Sequence, residues 1–170
     1  RTKGWIATYA GISGGADAIL IPERPYDLNE VAGIVRARHR HGKSYSIIVV
    51  AEGVEPPPGT QMETKTDAFG FARLGGVGYA IAADLEDLTG FETRVSVLGH
   101  IQRGGTPTAF DRVLATRLGV AAADLAVEGA SGVMVAVRSM NIEPVSMEEA
   151  CAAVRGVPPD LYDTAATFFG

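Results

Sequence analysis

Cysteine is nearly absent from this chain. Cys151 is the only one in 170 residues, which excludes an internal disulfide and a cysteine-based metal cluster. Its neighbours make it a small, semi-buried helix residue. No apolar run reaches the length of a membrane span, and no signal-like segment opens the chain. An excess of basic charge is also lacking. Fifteen Lys and Arg stand against 20 Asp and Glu, a net charge of −5, which argues against nucleic acid as the main partner. There is no internal repeat, no low-complexity segment, no Walker-type glycine loop and no Asp-rich metal motif. A reducing cytoplasm is the expected location. No methionine opens the chain, which reads as part of a longer one.

What is present suits a packed α/β domain. Hydrophobic residues make up 46% of the chain, and 21 glycines allow close approach of elements. The length suggests one domain, or a domain with a small appendage. Gly4 to Ser13 has helical spacing, with Trp5, Ile6, Tyr9 and Ile12 on one side. Ala18 to Pro22 and Ser46 to Ala51 are short continuous apolar runs, as in strands buried on both faces. Between them lies a helix with Asp27 and Glu30 in capping positions and Leu28, Val31, Ile34 and Val35 inward. It ends in Arg36, Arg38, His39, Arg40 and His41, read as a solvated run that complements the helix dipole.

Residues 54–74 carry three prolines, mixed charges and no sustained period, and read as an insertion loop. Gly75 to Gly90 returns to helix. A third strand is predicted over Arg94 to Leu98, a long helix from Thr108 to about Glu128, and a fourth strand over Gly132 to Arg138. Ile142 to Val145 pairs beside it. Ser146 and Glu149 open a short helix to Val154. Pro158 and Pro159 stop it, and Asp160 to Phe168 reads as a tail with apolar anchors. Alternating strands and helices predict a three-layer α/β sandwich with a mostly parallel sheet, and binding at the carboxyl ends of its strands.

The chemistry concentrates in Thr93 to Arg112, TRVSVLGHIQRGGTPTAFDR. No carboxylate occurs from Thr93 to Phe110, whereas Arg94, His100 and Arg103 do. Gly104 and Gly105 allow a sharp turn, and Thr108 with Asp111 has the spacing of a capping box. Two guanidiniums and an imidazole without a local acid suit an external anion, and the arginine fork matches phosphate oxygens. The N-terminus of the following helix adds free N–H groups and a favourable dipole. Glu52 stands at the carboxyl end of the second strand, where such a sheet binds its ligands.

The run VLGHIQRGGTP, Val97 to Pro107, resembles the signature of the 6-phosphofructokinases. GWIATYAGISGGADAILIPE, IIVVAEG and FDRVLATRLG agree with that family in order and spacing. The resemblance covers nearly all of the chain, but only the C-terminal half of the family. It implies a phosphofructokinase-like C-terminal domain over residues 1–170, with the N-terminal nucleotide-binding half absent. It implies ATP-dependent phosphorylation of fructose 6-phosphate to fructose 1,6-bisphosphate, a step of glycolysis, in a cytoplasmic homotetramer. Arg1, Glu52, Arg94, His100 and Arg103 match substrate-contacting positions. The residue matching Arg94 reaches the site of a neighbouring subunit in the family.

The catalytic aspartate and the Mg2+ bound with the donor belong to the absent half, so the chain alone is expected to be inactive. Asp17 and Lys43 match parts of an effector site, whereas His41 and Ser44 stand where lysines are usual. The segment after Glu52 resembles an actinobacterial, mixed-substrate branch, some of whose members use pyrophosphate. A pyrophosphate-dependent enzyme is therefore the rival reading. A non-catalytic phosphosugar-binding regulatory domain is the rival of another class.

Overall fold

The computed structural model describes residues 2–56 and 76–170. In chain order the elements are α1 (Trp5–Gly14), β1 (Ala18–Leu20), α2 (Leu28–Arg40), β2 (Ile48–Val50), α3 (Val77–Thr89), α4 (Ala109–Val127), β3 (Val133–Arg138), β4 (Asn141–Ser146), α5 (Met147–Cys151) and α6 (Pro159–Ala166). A 3₁₀ turn over Gly99–Arg103 precedes α4. The chain divides into two compact units: Arg1–Val97 with Arg155–Gly170, and Leu98–Val154. Most of the excursion predicted over residues 54–74 lies outside the described residues, as does Arg1.

In the first unit, β1 and β2 pair in parallel, with Ala18, Ile19 and Leu20 opposite Ile48, Val49 and Val50. α2 forms the crossover between them, giving the β-α-β arrangement that the alternation predicts. β1 is buried throughout, as its unbroken apolar run requires, while β2 is half-buried. Asp27 caps α2 by accepting from the Asn29 N–H at 2.8 Å.

α1 departs from its expected packing. Its buried face is Ala7, Thr8 and Gly11, whereas Ile6 and Tyr9 are more than half exposed. The reason is close approach to β1. A Cβ at Gly4 would collide with the Ile21 side chain, and one at Gly11 with Ile19. Small residues therefore face the strand, and bulky ones point away. Thr8 is buried without penalty because its hydroxyl donates to the Gly4 carbonyl at 2.9 Å.

The basic end of α2 is likewise less solvated than expected. Arg38 pairs with the buried Asp17 at 2.9 Å, Arg36 donates to the Leu88 carbonyl at 2.9 Å, and His39 packs on Phe91. The strand predicted over Arg94 to Leu98 is not formed. No strand pairs with it among the described residues, and a side chain holds the preceding backbone: Thr93 N–H donates to Glu86 Oε2 at 3.1 Å. The predicted tail at Asp160 is in fact α6. Proline at the first helical position loses nothing there, since that N–H has no helical partner anyway. Tyr162 on α6 donates to the Ile19 carbonyl at 2.8 Å and so fastens α6 to β1.

The second unit is built from α4, the antiparallel hairpin of β3 and β4, and α5. The register runs from Val133 opposite Ser146 to Arg138 opposite Asn141. Ser139 and Met140 make the turn with φ of 47° and 75°, a region that costs a residue with a Cβ about 1–2 kcal/mol. α5 ends at Cys151, short of the predicted Val154, and Cys151 is exposed.

Candidate anion-binding site

His100 and Arg103 lie on the same 3₁₀ turn. Three residues make one turn of such a helix, so side chains three apart fall on one face. Both are exposed, and neither side chain has a hydrogen bond or ion pair among the described residues. Gly104 closes the turn by donating from its N–H to the Ile101 carbonyl at 3.0 Å. Gly105, at φ 101°, then takes the chain through a conformation that a Cβ would strain.

The start of α4 is fixed by a reciprocal capping box. Asp111 Oδ2 accepts from the Thr108 N–H and hydroxyl, each at 2.8 Å, and the Asp111 N–H donates to Thr108 Oγ1 at 3.3 Å. The Thr108 N–H first, then its hydroxyl, holds the Asp111 carboxyl below its ordinary range. That carboxylate already answers part of the helix's positive end. The attraction for a further anion therefore rests more on His100 and Arg103 than on the dipole.

Glu52 and Arg94 belong to the first unit, His100 and Arg103 to the second. Glu52 is half-buried two residues beyond β2, at the strand's carboxyl end as expected. Arg94 is not without an acid: its Nε donates to Glu92 Oε1 at 2.9 Å, one residue before the carboxylate-free stretch begins. Both partners are mostly exposed, so water and salt screen the pair and an incoming phosphate can compete for the guanidinium. Lys43 is exposed between α2 and β2. Asp17, by contrast, has both oxygens engaged: Oδ1 by Arg38 and Oδ2 by the Ile47 N–H at 2.7 Å. Among the described residues no group of three His, Cys, Asp or Glu is placed to hold a metal ion.

Sequence reasoning passed over Glu23, whose carboxylate accepts from two stretches of backbone remote from each other, at Gly4 and Val157. No local pattern signals such a residue, because its partners lie 19 and 134 positions away.

The family model described as phosphofructokinase matches residues 1–126. The chain is 50% identical over 172 residues to the ATP-dependent 6-phosphofructokinase of Mycobacterium tuberculosis (strain ATCC 25618 / H37Rv), covering all of this chain and 50% of that protein. It is 49% identical over 173 residues to the pyrophosphate--fructose 6-phosphate 1-phosphotransferase of Amycolatopsis methanolica, again covering all of this chain and 50% of the relative. Among solved structures, phosphofructokinase from Pichia pastoris in the T-state aligns with a TM-score of 0.67 at 28% identity, over 99% of this chain and 16% of that one. The pyrophosphate-dependent phosphofructokinase of Marinobacter aquaeolei aligns with a TM-score of 0.72 at 22% identity, over all of this chain and 46% of that one, a likeness of fold. The chain spans about half the length of the curated relatives it matches. Together with the exposed pair on the 3₁₀ turn ahead of a capped helix, these matches assign the chain to the phosphofructokinase family.

Proposed function

We propose that this chain supplies the fructose 6-phosphate-binding part of an ATP-dependent 6-phosphofructokinase. The observation that carries this reading is the 3₁₀ turn, which presents His100 and Arg103 on one face without an internal partner among the described residues. In this reading Arg94, His100 and Arg103 donate to the acceptor's phosphate, and Arg1 makes a further substrate contact. Glu52 accepts from a sugar hydroxyl and fixes the ring's orientation. Phosphoryl transfer depends chiefly on positioning and charge neutralisation, and these residues do the positioning of the acceptor. The aspartate that takes the acceptor hydroxyl's proton, the nucleotide site and Mg2+ are assigned to the other half of the relatives' length.

The 50% identity to the mycobacterial ATP-dependent relative supports ATP as donor. The near-equal match to the Amycolatopsis relative keeps pyrophosphate as the second reading. A cytoplasmic homotetramer with sites shared between subunits completes the proposal, Arg94 acting in a neighbour's site. An effector bound through Asp17 and Lys43 would first have to displace Arg38 from Asp17.

The test is steady-state kinetics of His100→Ala and Arg103→Ala in the active enzyme, varying each substrate in turn. Loss of one charge-assisted hydrogen bond should weaken fructose 6-phosphate use by about ten- to a hundredfold. The KM of the donor should stay unchanged. An unaltered dependence on fructose 6-phosphate in folded variants refutes the assignment.

A further inference from the structure

Glu23 lies three residues past the end of β1, half-buried, and its carboxylate joins two stretches of chain. The Gly4 N–H donates to Oε1 at 3.1 Å and to Oε2 at 3.0 Å, and the Val157 N–H donates to Oε1 at 3.1 Å. One oxygen thus serves both stretches. Gly4 is the N-cap of α1 and has no side chain to cap it. Glu23 fills that role from across the fold and puts a negative charge at the helix's positive end. The fit is close. A Cβ on Gly4 would stand 3.0 Å from Glu23 Oε2, and one on Gly156 3.3 Å from its Cγ.

Val157 lies where the chain re-enters the first unit, which it leaves at Val97 and rejoins at Arg155. The returning segment, Arg155–Gly170, buries Val157 and Ala165 in the core cluster. It is tied to α1 by the bond from Trp5 Nε1 to the Arg155 carbonyl at 2.8 Å, and to β1 by the Tyr162 hydroxyl. Asp163 pairs with Arg24 just beyond β1. Docking this segment closes a long excursion of chain through Leu98–Val154, and the entropy of that closure opposes it. Such a segment opens at a lower free energy than the core does.

We infer that Glu23 is a latch that makes the start of α1 and the returning segment open as one cooperative unit. When either stretch leaves, the half-buried carboxylate loses a donor that nothing else replaces, and its hold on the other stretch weakens. The latch is a conformational device of the fold. It makes Glu23 neither a substrate contact nor a proton donor.

Backbone hydrogen exchange in the enzyme carrying this chain tests the latch through amides that Glu23 does not touch. In α1 the Thr8 N–H donates to the Gly4 carbonyl at 2.8 Å, and in α6 the Tyr162 N–H donates to the Pro158 carbonyl at 3.3 Å. In the unsubstituted protein these two amides should share one opening constant and one denaturant dependence. Glu23→Gln keeps the shape but turns an amide NH2 toward one of the donors. It should accelerate both amides together by about five- to tenfold, the share of one hydrogen bond. The Ala51 amide, bonded to the Leu20 carbonyl at 2.9 Å beside β2, should keep its rate.

No acceleration, or acceleration at Thr8 or Tyr162 alone, overturns the inference and leaves Glu23 a simple cap. Equal acceleration at Ala51 also overturns it, since the whole unit would then have lost stability. Unequal opening constants for Thr8 and Tyr162 in the unsubstituted protein overturn it without any substitution, so the test stands even where Glu23→Gln fails to fold.

Discussion

Each of the two units is held together internally by its own means. The buried core cluster comes wholly from Arg1–Val97 and Arg155–Gly170, where Ile19, Ile21 and Ile81 are almost fully enclosed. In Leu98–Val154 Val145 alone is buried among the described residues, and α4 buries nothing, although Leu114, Leu118, Ala121 and Leu125 form a half-buried stripe at helical spacing. That unit relies on short-range devices: the Thr108–Asp111 box, the cap from Ser146 to the Glu149 N–H, the Arg138–Glu149 pair and the bond from Arg117 to the Met140 carbonyl. The proposed substrate residues are shared out between the units. Glu52 stands just past a strand of the packed core, Arg94 on exposed irregular chain, and His100 and Arg103 on a turn whose order is locally maintained.

The largest effect that tests this contrast is a truncation in the core. Ile81→Ala should cost about 2–5 kcal/mol, the usual range for a buried large aliphatic. Val120→Ala, on the exposed face of α4, should stay within about 0.5 kcal/mol. Chemical denaturation of the two variants checks this, and equal losses would abolish the distinction between the units.

Next in size is the comparison of cations across the division. Arg94→Ala and Arg103→Ala should each weaken use of fructose 6-phosphate by about ten- to a hundredfold. Glu92→Ala, which frees Arg94 from an exposed pair, should change it by less than about twofold. Arg103→Lys should recover little, because a point charge lacks the bidentate fork. Kinetics with fructose 6-phosphate varied decides each case.

The pH dependence of stability comes third. Burial pushes the Glu23 carboxyl upward, but the N–H groups of Val157 and Gly4, its own N–H and the charge of Lys3 outweigh it and lower the pKa below the ordinary value. A depressed carboxylate stabilises the fold fully above the unfolded pKa, and that contribution is lost as pH falls through the folded one. Thermal unfolding should therefore separate the original chain from Glu23→Gln at neutral pH, and the gap should close as pH falls below about 4. A gap that widens on acidification contradicts the assignment.

Smaller effects belong to the second unit's local devices. Thr108→Ala should cost about 1 kcal/mol through loss of the cap. It should also speed hydrogen exchange in the first turn of α4. Met140→Gly should stabilise by about 0.5–1 kcal/mol, since glycine accepts the positive φ of that turn without strain. A loss of stability there would mean that the Met140 side chain contributes packing despite its exposure.

Much of the fold was legible because its causes are local. Asp27, Thr108 and Ser146 cap helices through backbone groups two or three residues away, and sequence order alone brings these together. The uninterrupted Ala18–Leu20 run required burial on both faces, and it has it. That His100 and Arg103 share one turn has the same local cause, since three positions separate them. Tertiary structure decided matters that hang on a distant neighbour. α1 turns its small residues inward because Ile19 and Ile21 leave no space for larger ones. Arg38 is an internal partner because β1 brings Asp17 to it. Residues 94–98 form no strand, since a strand exists only where another pairs with it. Glu23 has a role only because folding carries Gly4 and Val157 to one carboxylate. Backbone propensity and capping act within a few residues, so sequence order determines them. Burial and charge pairing depend on which remote groups folding brings within a few ångströms, and only the fold settles that.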